Sequence, residues 1–483
     1  MSFENETALP CDYAECLGAV RERLRVGSSF DIIERHLCVG GRDACFFYVD
    51  GFVKDNEMQR IMQSLLSMKK QLCAKDTLSR LPYVEVALCS DVAELCCAVL
   101  SGQTAIIAEE FFGVAILADA RTYPARQTQE PESDRVMQGA RDGFVETLVV
   151  NTALIRRRIR DERLTMEHFN MGGASKTDVV LCYMDGVADR ALIEGIRRKL
   201  RTVQPRSLTL GFQSLAETLI RRGWLNPFPK IRTTERPDTA SAQLLEGSVL
   251  VICDTSPQVM ILPTSIFDYL EQTDDYCFPP LTGTYLRIVR TLILLLSVVI
   301  TPLWYLSLEY EGILPEALSF LVPDDPGRLP IILQLFLAEI AIDGLKIASM
   351  NTPDILSSSL SIVGALILGD FAVGVGWLCE DVILYMAFVA IANFAQQNLE
   401  LGYAFKFLRL VILALVAVFG IWGFAAGIVL LVIAVATNKT VDLGGSYLYP
   451  LVPFNLRALS HLLVRRRKSD FSGAESQKRE RKR

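Results

Sequence analysis

The sequence predicts an α+β membrane protein: an N-terminal soluble region of two related α/β subdomains, followed by a polytopic α-helical transmembrane domain. Three observations carry this. Hydrophobic residues make up 51% of the 483 residues, and mean hydropathy is +0.30. This is too apolar for a disordered chain and high for a wholly soluble one. The apolar excess is unevenly placed: residues up to about 285 read as an ordinary charged globular chain, whereas long uncharged runs dominate 291–437. Finally, the charged half repeats itself. The implied organisation is an N-terminal segment (1–29), a first α/β subdomain (30–150), a connecting basic helix with a second α/β subdomain (151–285), a transmembrane helical domain (286–464) and a basic cytoplasmic tail (465–483).

The repeat is read from two pairs of segments. Cys45-Phe46-Phe47-Tyr48-Val49-Asp50-Gly51 is a strand-like run ending in Asp-Gly, with helical periodicity following over 56–69; Val180-Leu181-Cys182-Tyr183-Met184-Asp185-Gly186 repeats it, with a helix over 190–201. Further on, Leu100-Ser101-Gly102 before an apolar strand matches Leu245-Glu246-Gly247 before another. Asp50, Gly51, Asp185 and Gly186 are read as strand-ending turns, because glycine tolerates positive φ; a catalytic carboxylate at Asp50 or Asp185 is the sharper alternative. Between the repeats, periodic apolar residues from Phe144 to Ile159 predict an amphipathic helix whose basic end, Arg156 to Arg160, suits the helix dipole or an acidic neighbouring subunit. Gly172-Gly173 lacks phosphate-loop spacing and is read as a loop.

Several function classes drop out. The formal net charge of −6 argues against a nucleic-acid binder. No nucleotide-binding, hydrolase-elbow or metalloprotease motif occurs, so no catalytic residue and no cofactor are assigned. The twelve cysteines include no CxxC, and there are only three histidines, so no metal site is expected; the thiols are read as reduced. The N-terminus carries Glu4 and Glu6 and no apolar core, unlike a secretory signal.

Five stretches approach the roughly 20 apolar residues of a span: 291–308, 331–350, 355–379, 382–399 and 410–437, the last broken by Gly420, Gly423 and Gly427. Arg287 and Arg290 before the first, an acidic loop after it, and the basic tail place both ends of the domain on the cytoplasmic side. Both ends inside demands an even number of crossings, and five is odd. Either 331–350 does not cross fully or the glycine-broken run turns back; four to six crossings is the range. The basic tail is a topology determinant or a contact for anionic lipid.

Glu339, Asp343 and Lys346 are four and three apart and share a helical face. Charges at membrane depth face a bundle interior or a wet cavity. Two readings follow: an ion path, with a net negative face leaning toward cations, or an internal cluster in which Lys346 pairs with Asp343 and fixes packing. Asp370, beside Gly369, Gly374 and Gly376, is the next ion-path candidate. The glycine-broken run also suits a secondary transporter, but no inverted second copy of the membrane half is seen. A non-conducting scaffold for partner membrane proteins is the remaining class.

Combined motifs then point to a family. They are Glu130-Pro131-Glu132, Gly139 to Glu146, Asn151, Arg156 to Arg160, Asn226-Pro227-Phe228-Pro229, Glu235-Arg236-Pro237-Asp238, Leu245-Glu246-Gly247, Asp254-Thr255-Ser256-Pro257, Asp275-Tyr276, Leu337 to Asp343, Ala365 to Val373, Asp381 to Phe388, Glu400 to Lys406 and Ser446 to Pro450. Over about 30–463 the chain resembles the A-subunit family of bacterial spore germination receptors, and its membrane half is most similar to the stage V sporulation protein AF branch. The resemblance implies an integral protein of the spore inner membrane, its N-terminal domain and tail on the core side. It implies a homo-oligomeric ion channel, possibly pentameric, that works with a small membrane partner or a transporter-like B subunit and touches the dipicolinate-release machinery, amplifying germination rather than sensing nutrient. Two departures stand out. Thr255 occupies the place where the family pattern has glycine, and Gln396-Gln397 stands where a proline is expected.

Overall fold

The computed structural model describes residues 8–70, 73–123, 140–203, 205–220, 226–272, 274–310, 312, 315–351, 372–396, 398–438, 446–456 and 459. Helix α1 (Tyr13–Leu24) leads into strands β1 (Ile32–Val39) and β2 (Arg42–Val49), helices α2 (Asp55–Leu66) and α3 (Ala74–Arg80), strand β3 (Val86–Cys89), helix α4 (Val92–Leu100), and strands β4 (Thr104–Ala108) and β5 (Ala115–Ala118). After α5 (Leu148–Arg158) come β6 (Leu164–Met171), β7 (Thr177–Met184), α6 (Arg190–Thr202), α7 (Phe212–Leu219), β8 (Arg232–Thr234), α8 (Pro237–Leu245), β9 (Val249–Cys253) and β10 (Val259–Leu262).

The first sheet has order β1-β2-β4-β5-β3 and the second β6-β7-β9-β10-β8, position for position the same, and every pairing is antiparallel. The repeated glycines explain why the motif recurs. Gly51 and Gly186 have φ of 80° and 75°, and Gly102 and Gly247 have 99° and 97°. In each subdomain the second glycine lies against the residue following the first: a Cβ on Gly102 would stand 3.1 Å from the Phe52 ring, and one on Gly247 would stand 3.2 Å from the Val187 carbonyl oxygen. Both left-handed backbone and close approach therefore require glycine.

The inner strand β2 is apolar from Ala44 to Val49 because both its faces are covered there. Cys45, Phe47 and Val49 point into a core shared with α1 and α4, while Ala44 and Phe46 point into one shared with α2 and α3. Helix α1 falls within the segment read as lying outside the first subdomain; its Cys16, Leu17, Val20 and Leu24 are part of that subdomain's core. Helix α5 starts at Leu148 and is not amphipathic. It lies between the sheets, giving Ala153 to the first core and Leu154 and Ile155 to the second, so even Asn151, Thr152 and Arg156 are buried. Arg156 is held by Asp31, Nε to Oδ2 at 2.7 Å, and by the Leu164 carbonyl. Arg158 is bonded to Asp142. These arginines are spent within the chain rather than held out to a neighbour.

A single turn, α9 (Asp274–Cys277), precedes the apolar helices: α10 (Pro280–Glu309), α11 (Ile331–Asn351), α12 (Glu380–Phe394) and α13 (Leu399–Ala436). Among the described residues two helices, α10 and α13, are long and apolar enough to cross a membrane. Helix α11 carries its three charges, and the 15 residues of α12 reach only about 22 Å at 1.5 Å per residue, short of a hydrocarbon core of about 30 Å. Most of the expected span 355–379, with Asp370, and the basic tail lie outside the described residues.

Helix α13 is two helices. At Gly420 the backbone leaves helical geometry (φ 57°, ψ −132°), and the chain turns back on itself. A Cβ on Gly423 would overlap the Leu415 carbonyl, and one on Gly427 would come within 2.8 Å of the Ile412 side chain. The glycine-broken run thus turns back, which is one of the two ways the sequence left for the parity. The bend lies at the far end of α10, where a Cβ on Gly420 would be 3.0 Å from the Tyr310 hydroxyl. The returning arm ends against the second subdomain, where Asn226 Nδ2 donates to the Ala434 carbonyl at 2.8 Å, and the outgoing arm starts there too, with Phe405 edge-on to Phe228 at 5.3 Å.

Candidate ion-pair site between the apolar helices

Glu339 lies on the α11 face turned toward α13, where Lys406 and Arg409, three apart on one helical face, reach it. Arg409 Nη2 donates to Glu339 Oε1 at 2.6 Å, and its Nη1 donates to the Ser297 carbonyl of α10 at 3.0 Å. Lys406 Nζ stands 3.0 Å from the same Glu339 oxygen and also pairs with Asp343. Arg409, Glu339 and Lys406 are shielded from solvent, whereas the Asp343 side chain is 34% exposed. Three helices are thus pinned by one arginine, one lysine and two carboxylates.

This changes the sequence reading in two ways. Asp343 takes Lys406, from another helix, rather than Lys346, the partner that one of the two readings gave it. Lys346 instead sits over aromatic rings, 4.8 Å from the Tyr403 centroid and 5.9 Å from that of Phe394. The two carboxylates are also matched by two cations, so the net negative charge of the α11 face is compensated from α13. Sequence reasoning assigned neither Lys406 nor Arg409 to this cluster. The signal was their spacing of three, which, like the four between Glu339 and Asp343, puts both side chains on one helical face. Beside the cluster, Asp343, Lys346, Asn393, Tyr403 and Lys406 line a small cleft between α11, α12 and α13.

Asp50, Gly51, Asp185 and Gly186 lie in turns that follow β2 and β7. Gly51 packs under α5: a Cβ there would be 3.1 Å from both Ala153 and Val149. Burial pushes the Asp50 carboxyl up. Burial would also raise Asp185, but its bond to Arg25, at 2.8 Å, holds it below the usual carboxylate range. One group among the described residues has metal-ligating types close together, Glu34, His36 and Cys45. Arg21 already occupies Glu34, with three hydrogen bonds of 2.6 to 2.9 Å.

The profile of the Bacillus/Clostridium GerA spore germination protein family matches residues 20–475. The chain belongs to this family. Stage V sporulation protein AF of Bacillus subtilis is 38% identical over 450 residues, covering 92% of this chain and 90% of that protein. Spore germination protein KA of Bacillus subtilis is 26% identical, covering 91% of this chain and 82% of its own length. The N-terminal domain of the A subunit of the Bacillus megaterium spore germinant receptor GerK3 aligns to 53% of this chain and 96% of its own, at 25% identity and a TM-score of 0.40.

The GerA-family motifs now have physical roles. Arg236 is buried and forms a forked pair with Asp238 (3.1 and 2.7 Å) while donating to the Ala140 carbonyl. Pro237 opens α8, where its missing N–H costs nothing. Glu235 accepts from Gln258, and its carbonyl accepts from the Phe144 N–H. The motif therefore staples the segment entering α5 onto the second sheet. Asp254 Oδ1 accepts from the Leu148 N–H at the start of α5, and Thr255, in the glycine position, has φ +62°. Helix α12 ends before Gln396, which is buried; Gln397 lies outside the described residues.

Proposed function

We propose that this GerA-family chain is the membrane subunit of a spore germination complex and assembles as a homo-oligomeric ion channel that promotes ion release during germination. Its place is the spore inner membrane, with the two-sheet region on the core side. Its partners are a small membrane protein or a transporter-like B subunit, close to the dipicolinate-release machinery. The observation that carries the reading is the cleft edge of the charge cluster. Asp343 and Lys346 face open space between α11, α12 and α13, and charges kept at membrane depth normally face a wet path. Glu339 and Arg409, being enclosed, serve packing in this reading.

The test is ion flux in liposomes holding the purified chain, alone and with its membrane partner, for wild type and Asp343→Asn. Flux altered in an equally assembled Asp343→Asn supports the channel. Normal flux from that variant removes Asp343 from the path, and no flux in any sample with correct insertion overturns the channel. Full pairing of Glu339 within the chain supports the scaffold as the second reading; under it Asp343→Asn is silent.

A further inference from the structure

The cleft has an amphiphilic build. Lys346 stands in it with its charge resting on Tyr403 and Phe394, while the nearest carboxylate, Asp343, is taken by Lys406. The neutral cluster behind leaves the cleft with one positive charge in excess among the described residues. Its rim is apolar and open: Phe394 is 69% exposed and Leu399 53%. The cleft also lies toward the end of the membrane helices that adjoins the soluble subdomains, because Tyr403 is two residues from Phe405, the partner of Phe228.

We propose that this cleft binds the headgroup of an anionic phospholipid, with Lys346 taking the phosphate, Asn393 and Tyr403 supplying polar neighbours, and the acyl chains lying along Phe394 and Leu399. A cation over ring faces keeps its N–H donors available outward. Basic pockets between helices at a membrane surface recognise acidic headgroups in this way. An apolar rim favours a lipid over a free anion, since a small anion gains nothing from exposed Phe394. The proposal rests on the membrane placement of α10 to α13 but not on conduction, and its readout is bound lipid rather than flux.

The full chain is reconstituted in nanodiscs of phosphatidylglycerol and phosphatidylcholine, extracted, and the retained lipid measured by native mass spectrometry. Wild type is expected to retain phosphatidylglycerol about fivefold over its share, the ratio equivalent to roughly 1 kcal/mol for one basic residue. Lys346→Gln should lose that preference and Lys346→Arg should keep it. Asn393→Asp, which brings a negative charge into the cleft without touching Lys346, should also lose it. Equal retention of both lipids, or an unchanged preference in both Lys346→Gln and Asn393→Asp, overturns the proposal. Release of the retained lipid by millimolar inorganic phosphate reassigns the cleft to a free anion and overturns the lipid source.

Discussion

Arg409 of α13 and Glu339 of α11 form an ion pair at 2.6 Å with both side chains shielded from solvent. Removing one member of such a pair strands the other charge. Glu339→Gln should therefore cost about 3–5 kcal/mol of stability, whereas Asp343→Asn, at a third-exposed site, should cost about 1 kcal/mol or less. Thermal unfolding in detergent separates the two; equal losses would mean that Glu339 is not the keystone.

The hairpin in α13 depends on Gly423 more than on any apolar residue near it. A methyl group there meets the Leu415 carbonyl of the facing arm, and backbone cannot move aside as a side chain can. Gly423→Ala should lower the yield of folded protein sharply. Gly18→Ala, on the exposed face of α1 with nothing within 4 Å, should instead stabilise by up to about 1 kcal/mol. Fluorescence-detected size exclusion after heating reads both; a wild-type profile for Gly423→Ala would reject the close crossing.

Thr255 holds a left-handed backbone that a β-branched residue adopts at a cost of roughly 1–2 kcal/mol. Thr255→Gly should raise the melting temperature by about 2–4 °C. A lowered value would mean that the threonine side chain compensates its own backbone.

Thiol reactivity should sort by burial. Cys11, Cys38, Cys73 and Cys97 are exposed. Burial pushes Cys16 up to about 11 and Cys96 up to about 12, so near pH 8 almost none of either is thiolate, the reactive form. Maleimide labelling followed by peptide mapping should modify the exposed group in the folded protein and reach Cys16 and Cys96 only after denaturation. Early labelling of Cys96 would contradict the first core.

The repeat was legible because it is written in backbone: four glycines needing positive φ sit at matching places, and the apolar runs before them fill matching strands. Helices expected over 56–69 and 190–201 are seen at Asp55–Leu66 and Arg190–Thr202. What failed concerned neighbours. Arg156 looked available because its residue type favours the surface, but Asp31, more than a hundred residues away, buries it. Lys346 seemed to belong to Asp343 because both lie on one helix, yet Lys406 reaches across from another. Spacing describes one helix at a time and says nothing about which helix stands opposite.

The bend at Gly420 makes biogenesis a two-part event. The outgoing arm leaves the ribosome first, and the surface it must bury is carried by the arm that follows. That second arm is then fastened by Asn226 and Asn438 to the loop 226–229 made long before. A message cut short just before Asn438 would encode every apolar turn of the hairpin and lose the Asn438 half of that fastening. A hydropathy count would pass such a product; its defect would lie in a missing clasp.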